Sequence, residues 1–173
     1  MGRKSLASDI WSSHARRFCN FSPSRANHGE LEESAWLNIL GRRPLAWWKK
    51  VDWQLNEREI GFDGLCTGSK RIIAGLIDGH IEGKPNIYSV GDNSKARFLS
   101  ALRFIAKNGT LSKPLIAMQL EDGLSVIDGS HRMTALHVCQ TKPEVIVQKG
   151  GKVPLKTHKI WIGTHADGEV PLD

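Results

Sequence analysis

A chain of 173 residues is long enough for one domain with its own hydrophobic core. The net charge of +6 favours nucleic-acid or nucleotide partners over acidic ones. Three cysteines without a Cys-x-x-Cys spacing argue against a disulfide framework or a cysteine zinc site, and they favour a reducing compartment. No apolar run approaches the ~18 residues of a membrane span, and no signal-peptide segment is visible at the N-terminus. These features predict a cytoplasmic protein without membrane insertion.

Residues 1–60 are expected to form an N-terminal extension that is helical and partly flexible. Residues 1–29 are rich in Ser, Arg and Asn, which favours a solvated tail, with a nucleic-acid-binding arm as the alternative. Residues 30–40 suit a helix, because acidic residues occupy the first turn and a glycine and a proline follow it. Trp47 and Trp48 stand beside lysines, and they are interpreted as core anchors, with base stacking as the alternative.

The middle of the chain combines two β-branched segments with one amphipathic segment. Residues 71–77 and 86–90 are short, are rich in β-branched side chains and end in turn residues, so they are predicted to be strands. Residues 94–107 carry an apolar stripe at helical spacing and are predicted to form a helix that Asn93 or Ser94 can cap.

Residues 61–173 are expected to form one α/β domain, a mixed sheet with flanking helices. Its later part alternates strand and helix patterns, and the turn Glu-Asp-Gly at 121–123 predicts a hairpin. The predicted elements are strands over 114–120 and 124–127, a helix over 130–140, and strands over 144–147 and 159–162.

The strand end at Asp128 and the helix start that follows it carry the most informative residues. Gly129 permits a tight turn, and Ser130 stands where a helix cap is expected. His131 and Arg132 then put positive charge on a helix N-terminus that is already positive, which an anion on the free N–H groups would offset. Arg132 suits phosphate oxygens, and His131 can donate a hydrogen bond or act as an acid. Asp128 can cap the helix, orient Arg132 or hold a metal, although no metal-ligand spacing is visible.

Residues 93–148 resemble the ParB/sulfiredoxin superfamily. The resemblance rests on an amphipathic helix, Lys-Pro-Leu-Ile-Ala-Met before a hairpin, and then Val-Ile-Asp-Gly-Ser-His-Arg-Met-Thr-Ala-Leu. It implies a compact α/β fold that binds nucleotide phosphates through Lys95, Gly129, Ser130, His131 and Arg132. Sulfiredoxins have a catalytic cysteine where this chain has Ser130, so the resemblance implies phosphate chemistry rather than sulfinic-acid reduction.

A small, basic member with an N-terminal extension is similar to plasmid fertility inhibition factors of the Osa/FiwA type. That similarity implies an ATPase with DNase or DNA-binding activity that blocks conjugative or T-DNA transfer. From the chemistry of the corner described above, Arg132, His131 and Asp128 are the expected catalytic residues. ATP or another nucleotide and Mg²⁺ are the expected cofactors. The expected partners are DNA and a conjugative or type IV secretion component. A non-catalytic module that binds DNA or a partner through the same fold is the alternative.

Overall fold

The structure, a computed structural model, describes residues 45–91 and 93–169. These two stretches hold five α-helices, four β-strands and a short 3₁₀ turn at Phe62–Gly64. In chain order the helices and strands are α1 (Leu45–Trp48), β1 (Val51–Glu59), α2 (Thr67–His80), α3 (Ser94–Asn108), β2 (Leu115–Leu120), β3 (Gly123–Asp128), α4 (Ser130–Thr141), α5 (Pro143–Gln148) and β4 (Thr157–His165).

The chain divides into two compact units. The larger unit is Gln54–Gly163, and it contains every residue of the candidate site described below. The smaller unit combines Met1–Trp53 with Thr164–Asp173. The arm and the helix expected in the first 40 residues lie outside the described residues. The N-terminal extension and its boundary at residue 60 therefore stay predictions.

The strands form one mixed sheet in the order β1-β4-β2-β3. β2 runs parallel to β4 and antiparallel to β3, with which it forms the predicted hairpin. Ile116 pairs with Asp128 and Ala117 pairs with Val126, so Ile127 is bulged. A bulge bends its strand, and this one stands just before the end of β3. The predicted α/β class with a mixed sheet and packed helices is therefore confirmed.

The hydrophobic core of the larger unit lies between the sheet and the helices. The helix predicted over 94–107 is confirmed as α3, and it buries Phe98 and Ile105. The helix predicted over 130–140 is confirmed as α4, whose Leu136 joins the same core with Leu115 of β2. Burial of such side chains contributes about 1.5–3 kcal/mol each, so this core holds the ends of β3, α3 and α4 together.

The strand predicted over 71–77 is wrong, because these residues lie inside α2. Ser69, Ile73 and Leu76 are the buried residues of that helix, and their spacing is helical. The run of isoleucines favours a strand locally, but burial of one helical face against the core outweighs that preference.

The strand predicted over 86–90 is also wrong, because this segment forms a turn. The side-chain oxygen of Asn86 accepts a hydrogen bond of 3.0 Å from the Tyr88 N–H, and its amide donates to the Gly75 carbonyl at 2.7 Å. Such side-chain bonds to the backbone compete with strand pairing. The turn is thereby attached to α2.

The strand predicted over 144–147 is wrong as well, since it lies within the helix α5. Pro143 occupies the start of α5, where a missing N–H costs nothing, and Glu144 puts negative charge in the first turn. These two residues override the β-branched Val-Ile-Val run. The strand predicted over 159–162 is confirmed as part of β4.

Trp47 and Trp48 are packed rather than presented to solvent. Trp47 and Trp48 are 7% and 2% exposed, which confirms the core-anchor interpretation. The Trp47 ring stacks on His165 at a centroid distance of 4.4 Å, and its indole N–H donates to Glu169 Oε2 at 2.6 Å. Buried rings cannot stack on bases, so the base-stacking alternative is wrong for these two residues.

Candidate functional site

The turn between β3 and α4 is shaped by Gly129. Its φ of +104° lies in the left-handed region, which favours glycine. A Cβ there would meet Leu115 Cδ2 at 2.6 Å and Arg132 Nη2 at 2.7 Å, so the backbone position tolerates no side chain. The first hydrogen bond of α4 runs from the Met133 N–H to the Gly129 carbonyl at 2.8 Å. The predicted glycine turn at this corner is therefore present.

The start of α4 carries backbone donors without acceptors. Gly129 stands in the cap position with no side-chain cap, and no acidic residue occurs in the first turn. The N–H groups of residues 130–132 precede the hydrogen-bond ladder of the helix, and no backbone carbonyl of the described residues accepts from them. A helix start of this kind attracts an anion.

Arg132 lies beneath this turn and is largely buried. It is 8% exposed, and its Nη2 donates to Asp128 Oδ2 at 2.9 Å and to the Pro114 carbonyl at 3.3 Å. Its Nε is buried without a partner in the structure. The guanidinium therefore joins the end of β3 to the segment that enters β2. Of the three roles expected for Asp128, this bond corresponds to the orientation of Arg132.

The start of α3 is a second uncapped helix N-terminus. Asn93 holds the cap position with a φ of 58°, and its side chain makes no capping bond. The first turn contains no acidic residue, whereas Lys95 and Arg97 lie there with exposed side chains. The position of Asn93 at the cap was predicted, but the capping bond was not found.

The two helix starts meet through one serine. Ser94 Oγ lies 2.9 Å from His131 Nε2 and 2.9 Å from His80 Nε2. Ser94 is only 3% exposed, while the two imidazoles are partly buried. Three helix ends therefore converge here: the last residue of α2 and the first turns of α3 and α4.

Burial, with help from the surrounding positive charge, favours the neutral form of both imidazoles. Burial lowers the pKa of His131 to about 4, and Arg97 and His80 add to the effect. Burial also lowers the pKa of His80, and Lys95 lowers it further. A protonated imidazole would be a further positive charge among Lys95, Arg97 and the two helix N-termini, so the ligand-free cluster resists protonation.

The start of α2 shows what the other two helix starts lack. The Asp122 carboxylate accepts from the Thr67 N–H at 2.8 Å and from the Thr67 hydroxyl at 3.0 Å. These hydrogen bonds lower the pKa of Asp122. The fold thus supplies a carboxylate to the backbone N–H of α2, whereas the carboxylate next to α4, Asp128, bonds the Arg132 side chain.

The structure brings the predicted phosphate-binding residues into one region and adds three. Gly129, Ser130 and His131 form the start of α4, and Lys95 lies on α3 next to the serine that contacts His131. The residues that sequence reasoning missed are His80, Ser94 in its contact with His131, and Arg97. The tripeptide Ile-Asp-Gly occurs at 77–79 and again at 127–129, one residue before His80 and two residues before His131. This repeat is the sequence signal that could have indicated His80 as a partner of His131.

No family model, no curated protein and no solved structure matches this chain. The helices of residues 45–91 and 93–169 include none that is long and apolar enough to cross a membrane. Within the same residues, no group of three or more His, Cys, Asp or Glu side chains is arranged to hold a metal ion. The metal ligands therefore stay unassigned.

Proposed function

We propose that this chain is a cytoplasmic nucleotide-binding phosphohydrolase with a ParB/sulfiredoxin-like fold, and that ATP is its nucleotide. The observation that carries the proposal is the meeting of two uncapped helix starts through Ser94 and His131. Each helix start lacks a side-chain cap and carries basic side chains, and neither has an acid in its first turn. A polyphosphate supplies the charge that both helix starts lack.

Each residue of the site has a role in this proposal. The N–H groups after Gly129 and the Ser130 hydroxyl donate to phosphate oxygens, and Lys95 reaches a phosphate from α3. His131 lies beside the leaving oxygen as a proton donor. Arg132 acts as a positioning residue that holds Asp128 and the turn, because its guanidinium is buried and already bonded.

Magnesium enters this proposal as the counter-ion of the nucleotide. The corner presents N–H groups and cationic side chains, which bind anions and not cations. When bound, Mg²⁺ neutralises charge on the phosphate oxygens during hydrolysis. The residues of the chain orient those phosphates and exclude water from them.

DNA binding or DNA cleavage, and inhibition of conjugative or T-DNA transfer, are the further parts of the proposal. The net charge of +6 supports a polyanionic partner. If lysines and arginines contact the DNA backbone, the affinity for DNA should fall steeply as the salt concentration rises. The logarithm of the binding constant should fall with the logarithm of the salt concentration, with a slope of about −0.9 per phosphate neutralised. A slope near zero would contradict this part. A type IV secretion component is the proposed protein partner.

A non-catalytic module that binds a phosphate of DNA or of a partner is the second candidate. The observation that favours it is the bond between Arg132 and Asp128, because it engages two of the three residues to which catalysis was assigned. Such a module would bind through the same helix starts without turnover.

Phosphate release from ATP separates the two candidates. We expect the purified chain with Mg²⁺ to release phosphate, and Lys95→Ala to slow the release by about tenfold or more, since a bond to a charged group is worth about 1.5–3 kcal/mol. Lys107→Ala is the matched control, because Lys107 is exposed at the opposite end of the same helix. ATP binding without turnover would contradict the hydrolase and support the binding module.

A further inference from the structure

Ser94 Oγ stands between two imidazole nitrogens at equal distances of 2.9 Å. A hydroxyl has one proton to donate, so two neutral imidazoles must take opposite roles. One Nε2 accepts from Oγ, and that imidazole carries its proton on Nδ1. The other imidazole donates Nε2–H to Oγ, and its Nδ1 is therefore bare. The cluster of His80, Ser94 and His131, called here the His–Ser–His relay, has one vacant proton site.

Charged groups face the relay from three sides. Arg97 of α3 and Arg132 of α4 act on His131 to disfavour its charged form, and Asp128 at the end of β3 acts in the opposite direction. Lys95 of α3 acts on His80, and the ring of Phe98 stacks on it at 5.5 Å. Positive charge dominates, which disfavours a metal cation between the two imidazoles as well as a proton.

A bound dianion would reverse this balance. Both imidazoles stand at helix ends, and His131 lies in the first turn of α4, where the N–H groups lack acceptors. The guanidinium of Arg132 lies beneath the same turn, and its buried Nε has no partner among the described residues. A dianion there would offset the nearby positive charge and attract an imidazolium directly, which opposes the effect of burial and favours the protonated form.

We propose that docking of a tetrahedral dianion, such as the terminal phosphate of a nucleotide, is coupled to the uptake of one proton by the His–Ser–His relay. This inference rests on the proposed phosphate site and adds its pH dependence and its preference for dianions. It does not depend on hydrolysis.

The proton balance requires only one solvent proton. When His80 is the donor, the solvent proton binds its bare Nδ1. The Nε2 proton of His80 then moves to Ser94 Oγ, and the hydroxyl proton moves to Nε2 of His131. No other bond forms or breaks. The positive charge ends on His131, next to the anion, although the proton entered at His80.

Calorimetric titration with sulfate tests this proposal, because sulfate is a tetrahedral dianion that does not titrate near neutral pH. The full chain is titrated at several pH values in buffers of different ionisation enthalpy, which reports the protons taken up. We expect an uptake approaching about one proton, and an affinity that falls by up to about tenfold per unit of pH increase. Ser94→Ala should lose most of the proton uptake and of the pH dependence of the sulfate affinity, because the imidazolium Nε2–H of His131 would lose its acceptor, and His80→Gln should reduce both as well. Ser100→Ala, exposed on the same helix, should match the parent chain.

The other outcomes separate the proton coupling, the relay and the proposed hydrolase from one another. Sulfate binding without proton uptake contradicts the coupling and leaves the phosphate site intact. Unchanged uptake in Ser94→Ala contradicts the relay. An absence of sulfate binding contradicts this inference whatever ATP does. Proton-coupled binding in a chain that never hydrolyses ATP supports this inference and contradicts only the hydrolase.

Discussion

At the residue scale, one arginine that the sequence predicts to be catalytic also has a structural role. Arg132 was expected to face a phosphate, but it is buried and bonded to Asp128 and to the Pro114 carbonyl. Asp128 is partly buried too, with a side chain 28% exposed. The pair therefore contributes to the geometry of the turn at Gly129, and the donors that face outward belong to the backbone and to neighbouring side chains.

Arg132→Ala should destabilise the protein by about 3 kcal/mol, because it removes the buried guanidinium and its bonds to Asp128 and to the Pro114 carbonyl. Urea denaturation measures the change. Arg103→Ala is the matched control, since Arg103 is exposed on α3, and we expect a change within about 0.5 kcal/mol for it. Equal stability of the two variants would contradict the structural role of Arg132. Lost ATP turnover in Arg132→Ala is therefore not by itself a sign of catalysis.

The stability should fall as the pH falls through the range set by His131. Its folded pKa of about 4 lies below the ordinary histidine value of 6.5, so the unfolded chain binds the proton more readily. The contribution is fully present above pH 6.5 and is lost progressively as the pH falls toward 4. His131→Gln should reduce this loss between those limits, measured by urea denaturation at several pH values. An identical pH dependence in the variant would contradict the burial of a neutral imidazole.

At the element scale, α2 and the segment before it cover the edge of the sheet that β3 forms. β3 is the last strand in the order, and its Val126 N–H donates to the Ser69 hydroxyl of α2 at 2.8 Å. The segment before α2 also covers this edge, since the Cys66 N–H donates to the Leu124 carbonyl at 3.0 Å. Side-chain and backbone partners of this kind protect an edge strand from pairing with other chains.

Ser69→Ala should cost about 1–3 kcal/mol of stability, because the buried Val126 N–H would lose its acceptor. The exposed Ser100→Ala provides the control for the same chemical change. Thermal and urea unfolding of the two variants measure the difference. A Ser69→Ala protein as stable as the control would show that Val126 finds another partner.

At the scale of the whole molecule, elements with strong local signals were predictable and those fixed by distant partners were not. The amphipathic stripe on α3 and the Glu-Asp-Gly turn of the hairpin were correct, because both depend on neighbouring residues. α2 was mistaken for a strand, since the Asp122 carboxylate that caps it lies 55 residues from Thr67. β1 was not predicted, because its exposed and buried residues do not alternate regularly.

The residues of the candidate site also fall into a group that local sequence predicts and a group that depends on distant partners. The glycine turn and the basic helix start that follows it could be read from consecutive residues. His80, Ser94 and His131 come from three separate helices, and only the packing of α2, α3 and α4 brings them together. A serine at a helix start is an ordinary cap in a sequence, so nothing local indicated that its hydroxyl bonds two histidines.

The dissociation constant for ATP, compared between Lys95→Ala and Lys107→Ala, tests the central statement that the starts of α3 and α4 form one phosphate site. Both variants remove one exposed lysine from α3 and leave the same net charge. The account predicts that Lys95→Ala weakens binding by about tenfold or more, while Lys107→Ala stays within about twofold of the parent chain. Equal effects of the two substitutions, or no ATP binding by the parent chain, would contradict it.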